Sequence, residues 1–240
     1  MENQKARRFP RIFLQKSSRP LTHLLGAKAV WNNREQIDVH DLSYVGAAFV
    51  RSLGINAQPG ETVAINLELS GQPPFHISCE VMRVSDKLIA VAFAPLSTEA
   101  RVGLERYLQE KMIGLHMHPI DPKYFAKPGQ FSHWFHGPNN TNLFLWHADM
   151  RLTQATVELG PDFLIYKNGE FAEGNSEQFL DHENDDYVKP LFDKNLESSE
   201  FRKQIGLSPL MTRTLNVLSQ IDDPEKVVEP LIRLILERRK

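Results

Sequence analysis

The chain carries a single cysteine, Cys79, among its 240 residues. That excludes an intrachain disulfide and a cysteine-based zinc site. No stretch approaches the roughly 18 consecutive apolar residues that a membrane-crossing helix requires, so no membrane span is expected. The first residues are polar and basic with no apolar run behind them; no secretory leader is expected, and the cytoplasm is the expected compartment. A glycine-rich phosphate loop, a G-x-S-x-G elbow and a visible pairing of nucleophile with base are also missing, which points away from an enzyme. There is little net charge either: the formal value is −2, and an extended basic face suited to a nucleic-acid polymer is not expected.

What is present is an ordinary globular composition with an uneven charge distribution. Hydrophobic residues make up 41% and charged residues 24%, enough to bury a core in each half of the chain. The length predicts two domains, divided here as 1–115 and 116–240. Residues 1–34 hold eight Lys or Arg against one acidic residue, Glu2, whereas residues 173–200 hold nine Asp or Glu against two Lys. The front end therefore suits an anionic partner.

In TVAINLEL, Val63, Ile65, Leu67 and Leu69 alternate with smaller or polar residues, the pattern of a half-buried strand. FHISCEVMRV and LIAVAF continue with the same period of two; Cys79 alternates with Phe75, Ile77 and Val81 and reads as a small buried hydrophobe. With GAKAVW and VGAAFVR upstream, residues 25–94 give five or six short strands, which a small antiparallel barrel closes with no exposed edge. A helix follows in STEARVGLERYLQEKMIG, with Ser97 as its cap and Leu104, Tyr107, Leu108 and Met112 on one face.

Residues 115–140 are dense in His, Pro and Gly and read as a linker or irregular segment. TNLFLWHA, MRLTQATVELG and FLIYKNGEFAEG read as strands, with KNG as a hairpin turn. Ser208-Pro209 and Asp223-Pro224 each predict a helix start, the second helix turning Val227, Val228, Leu231, Leu234 and Ile235 inward and bending at Pro230. The second domain is therefore expected to be α+β.

The functional signal lies in two short patterns. ARRFPRIF contains R-x-x-x-R at Arg7 and Arg11, and, after a gap of 29 residues, DLSYVGAAF contains D-x-S-x-x-G at Asp41, Ser43 and Gly46. Either alone is weak. In this order, ahead of the short strands and the closing helix, they resemble the PilZ family of bacterial cyclic di-GMP receptors over roughly residues 5–112. The resemblance implies a second-messenger effector whose ligand is cyclic di-GMP, with no further cofactor. It also implies that Arg7 and Arg11 contact guanine and phosphate, with Arg8 a lesser candidate between them. A guanidinium addresses phosphate and the guanine O6/N7 edge, Asp41 can accept from the N1–H and N2–H edge, and Ser43 can donate or accept near base or phosphate. Gly46 answers a geometric need: a close backbone approach or a positive φ.

Other readings stay beside this one. Asp41 and Ser43 could serve only a turn between strands, and the arginines only a solvated leader. Two rival functions follow: a PilZ-fold interaction adaptor without ligand, and a metal-dependent enzyme. The second would use His116, His118, His133, His136 and His147, with Asp149, whose H-x-H and H-x-x-H spacings suit metal ligation. Their loop and packing roles are the plainer reading. The acidic DHENDD run lacks a calcium loop's glycine and reads as solvated surface. The second domain is expected to carry the response through a protein partner, and homodimerisation stays open.

Overall fold

The computed structural model describes residues 11–14, 27–125, 131–176, 202–203 and 206–238. The chain divides into two compact units, Met1–Lys111 and Met112–Lys240.

In the first unit six strands close a barrel: β2 (Lys28–Trp31), β3 (Glu35–Ser43), β4 (Gly46–Val50), β5 (Thr62–Glu68), β6 (Phe75–Val84) and β7 (Leu88–Phe93). Their order is β3-β2-β5-β6-β7-β4, all antiparallel, and β4 returns to pair with β3. A two-residue strand, β1 (Ile12–Phe13), adds to β3. The alternation legible in the sequence is the inside–outside alternation of the barrel: Val63, Ile65 and Leu67 of β5 and Ile77, Cys79 and Val81 of β6 are buried, with the residues between them turned outward or half-buried. Each large apolar side chain so buried contributes about 1.5–3 kcal/mol. Trp31 and Phe49 meet edge to face in this core, 6.0 Å between centroids. Burial pushes the Cys79 thiol up to about 12, so it behaves as a small hydrophobe.

Helix α1 (Thr98–Leu115) follows, its start capped by Ser97, whose Oγ accepts from the Ala100 N–H at 3.2 Å. Leu104, Tyr107 and Leu108 are buried as their spacing predicts, while Met112 is half-buried. Glu110 and Lys111 are buried too, although their charge points to solvent.

The second unit is α+β. Seven antiparallel strands run as a meander, each beside the next: β8 (His118–Pro119), β9 (His133–Gly137), β10 (Thr141–Ala148), β11 (Arg151–Leu159), β12 (Asp162–Lys167), β13 (Glu170–Asn175) and β14 (Arg202–Lys203). Two-residue turns at Asp149-Met150 and Asn168-Gly169 have positive φ at both positions, the primed geometry that matches strand twist. The His-Pro-Gly-rich stretch is thus not merely irregular. It holds β8, a short 3₁₀ turn (Pro122–Tyr124) and β9, because HWFHG is held by full pairing with β10.

Helix α2 (Pro209–Leu218) packs on β12 and α3 (Glu229–Glu237) on β11. Ser208 caps α2 as expected, accepting from the Met211 N–H at 3.0 Å, and also bonds Glu173. Asp223-Pro224 does not start a helix. Both Asp223 carboxylate oxygens accept backbone N–H groups, from Val227 at 3.0 Å and Val228 at 2.8 Å, which closes a loop in which Lys226 has φ 58°. The helix begins only at Glu229, with Pro230 in its first turn, where a missing N–H costs nothing; Pro230 starts α3 and does not bend it. Val228, Leu231, Ile232 and Ile235 are the buried residues, whereas Val227 and Leu234 are half-buried.

Candidate nucleotide-binding site

Arg11, the second arginine of the first pattern, meets the second pattern on the outer face of the barrel. β1 pairs with β3 so that Ile12 opposes Leu42 and Phe13 opposes Asp41, and the Leu14 N–H donates to the His40 carbonyl at 3.0 Å. Ile12 and Leu42 are both buried, which fixes the register: a one-residue slip would expose the pair. Arg11 immediately precedes β1, and this pairing carries its guanidinium to the D-x-S-x-x-G segment. Arg11 Nη1 donates to Asp41 Oδ1 at 3.0 Å, a charge-assisted bond between residues 30 apart in sequence.

Asp41 is only 4% exposed although it lies on the outward side of β3. A β-bulge between Val39 and Asp41 explains its surroundings. Neighbouring residues of a regular strand point to opposite faces, but the extra residue, His40, turns its ring to the side of Asp41. His40 Nδ1 lies 3.2 Å from Asp41 Oδ2, and the same ring meets Phe13 edge to face at 5.8 Å. The carboxylate is therefore held through one oxygen by Arg11 and through the other by His40.

Ser43 and Gly46 build the turn that follows. Ser43 Oγ donates to the Gly46 carbonyl at 3.0 Å across the two-residue turn Tyr44-Val45, and Ser43 opposes Gly46 in the β3–β4 ladder. Of the two geometric needs that Gly46 could answer, only the close approach is met here, since its φ is not positive. A Cβ on Gly46 would stand 2.3 Å from the Val91 carbonyl oxygen of β7, so no larger residue fits without moving a strand. Gly46 thus secures barrel closure beside the turn.

On its other side the turn borders an open cleft of about 720 Å³ lined by Tyr44, Val45, Phe93, Arg101 and Glu105, among others. Burial, and then the charge of Glu105, raises the Tyr44 phenol above its ordinary range. Arg7 and Arg8 lie outside the described residues. Phe13 and His40 are neighbours of Asp41 that the sequence patterns do not include; the only hint was their position next to Arg11 and Asp41.

The histidine-rich segment does not converge. His133 and His147 meet edge to face at 5.2 Å beside the Asp223 loop, His136 bonds Asn142 at 2.8 Å, and His116 bonds the Met112 carbonyl of its own helix at 2.8 Å. Among the described residues no three His, Cys, Asp or Glu are grouped to hold a metal ion. No helix among them is long and apolar enough to cross a membrane.

Residues 5–110 match the family model described as PilZ domain. The N-terminal unit is a PilZ domain. The PilZ family is one of cyclic di-GMP receptors, and the domain is a binding module with no catalytic machinery of its own. Among solved structures, the crystal structure of an uncharacterized Legionella protein is 16% identical, covering 43% of this chain and 98% of its own, with a TM-score of 0.33. No curated protein matches the chain.

Proposed function

We propose that this protein is a cyclic di-GMP effector whose PilZ domain binds the dinucleotide through Arg7, Arg11, Asp41 and Ser43, and whose second unit passes the signal to a protein partner. The convergence of Arg11 on Asp41 carries the reading: two patterns 29 residues apart supply a cation and a carboxylate at one place on the barrel. Those are the groups a guanine nucleotide needs. Arginine addresses phosphate oxygens and the O6/N7 edge, and a carboxylate accepts from the adjacent N1–H and N2–H donors. Among the described residues each Asp41 oxygen accepts one bond, and a carboxylate oxygen can accept a second. Ser43 and Gly46 support this arrangement by fixing the turn, with Arg8 an auxiliary cation.

Calorimetric titration of the full chain with cyclic di-GMP tests the reading and reports stoichiometry as well. Arg7→Ala and Arg11→Ala should each weaken binding by about 1.5–3 kcal/mol, the range for hydrogen bonds to charged groups. Asp41→Ala should erode the preference for cyclic di-GMP over cyclic di-AMP, since adenine has no N1–H to donate. Wild-type affinity in the Arg7→Ala/Arg11→Ala double variant would overturn the assignment, as would a wild type that binds neither nucleotide.

A further inference from the structure

We propose that Phe13 and His40 form the base-stacking corner of the nucleotide site, an aromatic element that neither arginine pattern nor D-x-S-x-x-G contains. The proposal rests on the cyclic di-GMP reading above and adds to it the surface on which a guanine lies.

A purine needs three things from a site that recognises it: a partner for its donor edge, a partner for its acceptor edge, and an aromatic surface for its face. Asp41 and Arg11 supply the first two. Phe13 stands directly across the β1–β3 ladder from Asp41 and is 49% exposed, while its neighbour Ile12 is buried in the core at 1%. An apolar ring is thus held out on the surface beside an ion pair. The β-bulge brings His40 to the same place, its ring at 88° to Phe13 and 5.8 Å away, with Nδ1 anchored on Asp41 Oδ2 at 3.2 Å.

Two rings at right angles make a corner, so a base lying flat on one ring meets the other at its edge. The four side chains form one chain of contacts, Phe13 to His40 to Asp41 to Arg11. The strand pairing and the hydrogen bond to Asp41 hold the corner in shape before ligand arrives, which lowers the ordering cost of binding.

Four variants of the full chain separate this from a merely structural role. Phe13→Leu keeps apolar bulk but removes the aromatic face, and His40→Asn keeps a polar group beside Asp41 but removes the ring; each should weaken cyclic di-GMP binding about 5- to 100-fold, the range for one lost stacking contact. His40→Phe restores an aromatic face without the bond to Asp41, so it should bind more tightly than His40→Asn, which has the polar group and no ring. Phe13→Trp should bind, and its added indole emission should fall on titration beyond any change in the wild type. Thermal unfolding without ligand checks that each variant folds. Phe13→Leu and His40→Asn binding within about twofold of a wild type that does bind would overturn the corner and leave the receptor reading standing. A wild type that binds nothing overturns both.

Discussion

Removing Arg11 should destabilise the barrel even in the absence of nucleotide, and by more than removing Asp41 does. The Asp41 side chain is 6% exposed and the Arg11 side chain 34%, with 3.0 Å between Nη1 and Oδ1. Exposed pairs contribute about 0–1 kcal/mol, whereas breaking a fully buried pair costs about 3–5 kcal/mol because a charge is left stranded. This pair has one buried member and one that reaches water. Arg11→Ala leaves the buried carboxylate, among the described residues, with His40 alone and should cost about 1–3 kcal/mol, between those limits. Asp41→Ala leaves a guanidinium that can turn to solvent and should cost less. In the double variant the stranded charge is gone, so its loss should resemble that of Asp41→Ala alone, giving a coupling about as large as the Arg11→Ala loss itself, about 1–3 kcal/mol. Urea denaturation read at Trp31 in the barrel core, with Trp134 and Trp146 replaced by Phe, isolates this unit. With a slope of about 1–3 kcal/mol per M, Arg11→Ala should shift the midpoint by roughly 0.5–2 M. An unchanged midpoint, or single losses that simply add in the double variant, would refute the view that the ion pair seats β1 on the barrel.

Gly46→Ala should cost at least about 2 kcal/mol, since the new Cβ meets a backbone carbonyl that cannot rotate away; a stability within error of wild type would show that β7 yields easily. Lys111 gives a pH signature. Burial lowers its pKa to about 7, against the opposing pull of Glu110, so the unfolded chain binds the proton more tightly than the folded one. Stability should therefore rise between about pH 7 and pH 10 and flatten below that window. Lys111→Met should raise the unfolding midpoint at pH 7 and abolish the rise, and an equal pH slope in the variant would assign that slope to other groups.

Much of the barrel was legible because its strands are buried on one side only, so the period of two in TVAINLEL and FHISCEVMRV is written in residue type. The Asn168-Gly169 turn and the Ser208 cap were legible for similar local reasons. Local signals misled where a distant residue decides. Asp223-Pro224 has the same form as Ser208-Pro209, but the positive φ at Lys226 and the second proline at 230 postpone the helix to Glu229. β9 hid in its composition, since nothing in HWFHG alternates clearly and only its pairing with β10 makes it a strand. In the site, the residues of the two patterns could be named, but not the bulge that turns His40 toward Asp41. An inserted residue breaks the alternation without leaving a periodic trace of its own. Glu110 and Lys111 likewise carry charges that read as solvated and are buried.

Among the described residues, one border of the second unit's sheet is a strand of only two residues, and its composition matters for how another protein could bind there. His118–Pro119 includes a residue with no N–H to offer an incoming strand. A short, proline-bearing border discourages a second chain from extending a sheet. A peptide that recognises its target by lengthening a ladder would find a poor template here. A protein that approaches this border is steered instead toward side-chain surfaces, so its specificity there would be written in the shape and polarity of side chains more than in a backbone register.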